Sequence, residues 1–230
     1  MNGAEGSLGR LAAFLETGGP VVWILLAISI AALSILLMKL WQFFQLRPEH
    51  NEELPEALST WRQGRHEEAW RMLRTDRFSS EIVALAMREL AQGNAHQATL
   101  REELERIALA KLNGLRAQLP ALEVIGTLTP LLGLLGTVLG MIAAFRAMEV
   151  AGSQVDPSVL SGGIWQALLT TAMGLAIAIP VMAAYNWMDR KTQRVSEQIN
   201  DAVTQVFTLY NSRDAQEDSA GPSTTGSHAA

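Results

Sequence analysis

PSVLSGGIWQALLTTAMGLAIAIPVMAAYNWM, residues 157–188, runs for thirty-two residues without a Lys, Arg, Asp or Glu. About twenty residues of α-helix, at ~1.5 Å each, cross the hydrocarbon core of a bilayer. The segment from Ile164 to Met188 therefore reads as a membrane helix with some tilt. It is not uniformly apolar: Gln166, Thr170, Thr171 and Gly174 interrupt it, and Pro180 removes a backbone donor. In lipid such groups need partners within protein or beside water, so one side of this helix is expected to face other helices or a pore.

Two more uncharged runs flank a polar middle. Thr17–Met38 is twenty-two residues long and ends at Lys39 and WQFFQ. A signal-peptide core is the competing reading, but the run is too long, begins late, lacks a basic leader and ends in an aromatic and basic anchor. Val124–Phe145, VIGTLTPLLGLLGTVLGMIAAF, is a further twenty-two, closed by Arg146. Gly133, Gly136 and Gly140 fall at i, i+3 and i+7, a small-residue face that admits a neighbouring backbone. Thr137 adjoins that face, and Thr127, Thr129 and Pro130 lie near its start. Pro130 and Pro180 read as residues that shape their helices.

Residues 47–119 are the sizeable soluble part, with eleven basic and twelve acidic side chains. Apolar residues recur there at helical spacing: Leu54, Leu58, Trp61; Ile82, Leu85, Ala86, Leu90; Leu104, Ala108, Leu112, Leu115, Leu119, Leu122. Strand-like alternation is absent. Gly64, Gly93-Asn94 and Asp76-Arg77 read as turns. The last helix meets no strong stop and is expected to run from water into the membrane, Pro120 permitting a kink. After Met188, the stripe Val195, Ile199, Ala202, Val206, Leu209 suits packing beside other helices. Beyond Ser212 the composition predicts disorder.

The fold class is thus an all-α integral membrane protein, with three membrane helices extended into cytoplasmic ones. Basic residues near the helix ends set the orientation: Lys39, Arg47, Lys111, Arg116, Arg190, Lys191 and Arg194 on one side, Arg10 and Arg146 on the other. The N-terminus is then outside and the large loop and tail are cytoplasmic. A net charge of −5 gives no excess basic surface for nucleic acid, and the absence of cysteine removes thiolate chemistry. No histidine pair has metal-ligand spacing, no nucleophile–base cluster appears, and no cofactor is expected; the chain does not read as an enzyme.

LEVIGTLTPLLGLLGTVLGMIAAF and GGIWQALLTTAMGLAIAIPVMAAYN closely resemble the ExbB/TolQ/MotA proton-channel family, specifically over residues 120–190 and only architecturally elsewhere. ExbB is the nearest in layout. The resemblance implies a homopentameric ring in the bacterial inner membrane, in contact with lipid, around an apolar pore. The pore would enclose single-span ExbD-like helices, each bringing an aspartate, and the proton gradient would drive a periplasm-spanning TonB-like protein. Along the chain the layout is a periplasmic segment 1–19, membrane helix 20–45, a cytoplasmic helical domain 46–122, membrane helix 123–147, a periplasmic loop 148–160, membrane helix 161–188, a cytoplasmic helix 189–212 and a disordered tail 213–230. The family's pore threonines correspond to Thr137 and Thr171.

Each threonine also has a plain reading, a hydroxyl bonded back to a carbonyl one turn earlier. Beside a titrating aspartate, a hydroxyl that both donates and accepts serves as a relay. Gln166 stands where ExbB and TolQ commonly carry glutamate and cannot titrate. Gln166 and Thr170, four apart, share a face with Gly163 and Gly174 and join the expected pore lining, although Thr171 lies about 140° around from Gln166. Either the pore face is wide, or one of the two meets a neighbouring subunit, the reading favoured for Gln166. Glu123, the carboxylate bordering the second span, reads as a partner of Arg116 or Lys191, or as a cytoplasmic proton exit.

Overall fold

The computed structural model describes residues 19–46, 53–74, 78–93, 96–151 and 157–219. All of its elements are helical: α1 Gly19–Leu46, α2 Glu53–Arg62, α3 His66–Met72, α4 Phe78–Gln92, α5 Gln97–Arg116, α6 Leu119–Ala151 and α7 Pro157–Ser219. They divide into two compact units, one from residues 19–42 and 117–189, the other from residues 43–116 and 190–219.

The first unit holds α1, α6 and the first half of α7. Three helical stretches are long and apolar enough to cross a membrane, within Gly19–Phe44, Gln97–Val150 and Leu160–Ser212. Each is apolar around most of its circumference, so large side chains such as Ile30, Leu131, Leu134, Ile142, Leu168 and Ile179 remain exposed. In water such a surface would drive aggregation; against lipid it needs no cover. The exposed indoles Trp23 and Trp41 lie eighteen residues apart on α1, and Trp165 and Trp187 twenty-two apart on α7. At ~1.5 Å per residue these pairs bracket about 30 Å of helix, the spacing of interfacial aromatic belts.

The second unit packs α2–α5 against α7 beyond Asp189. Trp61, 1% exposed, lies among Leu54, Ala57, Leu73, Met87 and Val206, and its Nε1–H donates to the Val206 carbonyl at 3.3 Å. Val195, Ile199, Ala202 and Val206 are all buried and Leu209 partly so, which seats the 3.5-spaced stripe in this core. Lys111 on α5 pairs with Glu81 on α4. Gly64 and Gly93 turn the chain at φ +80° and +65°; Asn94 and Asp76-Arg77 lie outside the described residues.

Four expectations are corrected. The helix entering the membrane is broken, not kinked: α5 ends at Arg116, Gln118 has φ +68°, and α6 starts at Leu119. Pro120 explains the break, because its ring would clash with the carbonyl four residues back, whereas in a first turn it is tolerated. The expected loop 148–160 is helical to Ala151 and again from Pro157, since the chain has no glycine between Gly140 and Gly152. The helix after Met188 continues through Ser219, seven residues past Ser212, because Gly221-Pro222 is the next breaker. Lys39 is not an outward anchor: it is 2% exposed, and its ammonium donates to Gln42 Oε1 at 2.8 Å, one turn on.

Candidate functional site

Antiparallel α6 and α7 meet along a seam of small residues. A Cβ added at Gly133 would lie 2.9 Å from the Thr170 carbonyl oxygen and 3.1 Å from Thr171 Cα. One at Gly174 would lie 2.8 Å from the Thr129 carbonyl oxygen, and one at Gly136 2.6 Å from Thr170 Oγ1. The seam continues through Gly140 against Ala167 and Gly163 against Ala144, and at its other end Gly126 meets Met182. Backbone touches backbone here, an approach that only glycine permits. Pro130 and Pro180 lie inside α6 and α7, and each frees the carbonyl four residues earlier from the helix ladder.

Hydroxyls are set into this seam. Thr171 Oγ1 donates across it to the Gly133 carbonyl at 3.1 Å. Thr170, 1% exposed, donates to Ala167 O at 2.7 Å and has Gly133 O at 3.3 Å as an alternative acceptor. Thr129, fully buried, bonds back to Ile125 O. Thr137, half-buried, bonds back to Leu134 O at 2.5 Å. Thr137 thus takes the plain arrangement and Thr171 a cross-helix one; in both the donor is used while the oxygen can still accept. Thr170 departs from the pore-lining expectation, because the seam encloses it within a single chain.

Gln166 is half-buried and its Nε2 lies beside Gly19, 3.0 Å from where a Cβ would stand. Gly19 has φ +66° and opens α1. The amide therefore meets the first turn of α1 in its own chain. Exposed Glu123 acts electrostatically on the Tyr185 phenol of α7. Its main-chain carbonyl accepts from Thr127 Oγ1 at 2.8 Å. Sequence reasoning missed Tyr185, Gly126 and Ala144; the small-residue spacing that marked Gly133 and Gly140 extends to the latter two. Among the described residues no group of three His, Asp or Glu is placed to hold a metal.

These features define a polytopic helical membrane protein whose second and third spans are joined by glycine and threaded by threonine, with no acid between Val124 and Phe145 or between Ser158 and Met188. The model of the MotA/TolQ/ExbB proton channel family matches residues 74–201, and the chain belongs to that family. It is 36% identical over 134 residues to the biopolymer transport protein exbB1 of Vibrio cholerae, covering 55% of this chain and 58% of that one. It is 45% identical over 83 residues to the biopolymer transport protein ExbB of Helicobacter pylori, covering 36% and 57%. To the Tol-Pal system protein TolQ of Haemophilus influenzae it is 27% identical over 141 residues, covering 58% and 61%. The chain thus spans about three fifths of the length of these relatives.

Proposed function

We propose that this chain is the ring subunit of an ExbB-like, proton-driven energy-transducing complex of the bacterial inner membrane, with its N-terminus in the periplasm. It assembles as a homopentamer and encloses a single-span ExbD-like partner whose aspartate supplies the titrating acid. The complex energises a TonB-like protein for outer-membrane import. The observation that carries the reading is the Thr171 hydroxyl bonded across the glycine seam to Gly133, one turn from Thr137, in two spans that contain no acid of their own. Hydroxyls that donate to a carboxylate and accept from a protonated one keep a mid-membrane acid, whose charge costs about 2.5–3.5 kcal/mol, able to ionise.

Energetics favour several subunits sharing the work. One proton crossing 100 mV releases about 2.3 kcal/mol, whereas moving a two-state element from 1:99 to 99:1 takes about 5.5 kcal/mol. A fully committed switch therefore uses more than one proton. A TolQ-like role in envelope integrity is the second reading, supported by the TolQ relative.

Reconstitution tests the proposal. Liposomes holding this chain alone should pass no protons, and flux should begin when the single-span partner is co-reconstituted; robust flux without the partner overturns it. Mass determination of the detergent-solubilised complex checks the ring. If deletion weakens the outer membrane but spares siderophore uptake, the TolQ-like reading replaces the ExbB-like one. If Thr137→Ala and Thr171→Ala both leave uptake intact, the chain is a non-transporting scaffold.

A further inference from the structure

Two hydroxyls on α7 reach one carbonyl on α6. Thr171 Oγ1 donates to Gly133 O at 3.1 Å, and Thr170 Oγ1 lies 3.3 Å from the same oxygen while donating to Ala167 O at 2.7 Å. Each threonine carries one O–H and serves one acceptor at a time. Neither acceptor depends on its hydroxyl alone: in a regular helix Gly133 O also takes the amide of Thr137, and Ala167 O that of Thr171. Gly136 leaves just enough room for Thr170. A Cβ there would lie 2.6 Å from Thr170 Oγ1 and 2.7 Å from its Cβ, so this side chain, 1% exposed, fills the gap that a larger residue would close. Thr170 can change acceptor by turning its O–H bond, with no heavy atom moved. Thr171 is half-buried and less confined.

With its donor held by Gly133 O, Thr171 can only accept, which suits a protonated acid. An ionised carboxylate needs a donor, and to supply one the Thr171 hydroxyl must leave Gly133 O. The geometry points to Thr170 as the positioning residue for Thr171: when the Thr171 O–H turns to the partner's carboxylate, the Thr170 O–H turns from Ala167 O to the vacated Gly133 O, and it turns back when Thr171 returns. This rests on the channel reading proposed above. Only hydrogen bonds change: both threonines keep their protons, and Gly133 O keeps one hydroxyl throughout. Residues 17–38, 124–145 and 157–188 contain no Lys, Arg, Asp, Glu or His. Tyr185 is their one phenol, fourteen residues and about 20 Å along α7 from Thr171. The partner's acid is therefore the group that the exchange biases.

The test is the pH dependence of proton flux in the full chain co-reconstituted with its single-span partner. A hydrogen bond between membrane helices biases an equilibrium about threefold, equivalent to about half a pH unit. Thr170→Val has no hydroxyl to cover Gly133 O, so Thr171 turns less readily and the acid ionises later. The pH of half-maximal flux should therefore rise by about half a unit. Thr170→Ser keeps the O–H and should restore the wild-type midpoint. In a Thr171→Val background, adding Thr170→Val should move the midpoint no further, because no hydroxyl is left to release. The midpoint, unlike the height of the profile, does not depend on how much chain folds, so a purely structural threonine would leave it in place. An unmoved midpoint in Thr170→Val, no rescue by serine, or a shift that persists in the Thr171→Val background overturns the exchange while leaving the channel reading intact. Wild-type flux that ignores the partner sinks the channel reading, and the exchange with it.

Discussion

Thr171 donates its hydroxyl to the main-chain carbonyl of Gly133 on the facing helix at 3.1 Å. In an α-helix that carbonyl is also the acceptor for the amide of the residue four positions on, here Thr137. The two family threonines therefore converge on one oxygen. The Thr171 hydroxyl was not brought there by the apolar pattern; the glycine at 133 lets it come close enough to reach the backbone, while the Thr137 hydroxyl bonds back to Leu134 O.

Replacing Thr171 with valine keeps its shape and removes the bond. Hydrogen bonds between membrane helices average about 0.6 kcal/mol, so thermal unfolding in detergent should shift only slightly. Partner-dependent proton flux should nevertheless fall by about tenfold or more, the loss expected when a placed proton donor is removed. Thr171→Ser should restore most of it. If flux falls only in step with unfolding, Thr171 is a packing residue.

The seam predicts a contrast among glycine-to-alanine changes. At Gly133 and Gly174 the new Cβ meets backbone atoms at 2.9 and 2.8 Å, which cannot swing aside. Each variant should be destabilised by about 1–3 kcal/mol as the helices are forced apart. At Gly114 and Gly162 nothing lies within 4 Å. There alanine should be neutral or stabilising by about 0.5–1 kcal/mol, because it lowers the backbone entropy lost on folding. Thermal unfolding of the four purified variants checks the ordering.

Trp61 anchors the second unit through a buried indole and its bond to Val206. Trp61→Ala should cost about 3–5 kcal/mol in that unit, and Trp61→Phe less, since it keeps most of the ring. Hydrogen exchange should rise in α2 and in α7 near Val206 while α6 stays protected. Equal loosening of both units would show that they unfold as one.

The three apolar runs and the helical spacing of Trp61, Ile82 and Val206 made the helix class legible, because lipid and core each impose a one-dimensional pattern. The glycine face of the second span was legible for the same reason. The meeting of Gly126 with Met182 was not, since it depends on the register of two helices that no local pattern fixes. Lys39 reads as an anchor by composition, and only the packing around α1 turns it inward. Gln118 gives no sequence hint of a left-handed backbone; Pro120 signals the break but equally permits the expected kink.

Gln166 distinguishes a tie between helices from a proton-carrying site. Its Nε2, a donor, sits at the first turn of α1, beside Gly19, where the backbone amides are donors too. Gln166→Leu removes no capping acceptor, so exchange at Val21 and Val22, both buried, should stay near the wild-type level. Flux should stay near the wild-type level, because an amide carries no proton through the cycle. Gln166→Glu should protect the first turn further, since a carboxylate at a helix N-terminus accepts from its amides, which Nε2 cannot, and complements the dipole. Lost flux with unchanged exchange in Gln166→Leu would return Gln166 to the proton path.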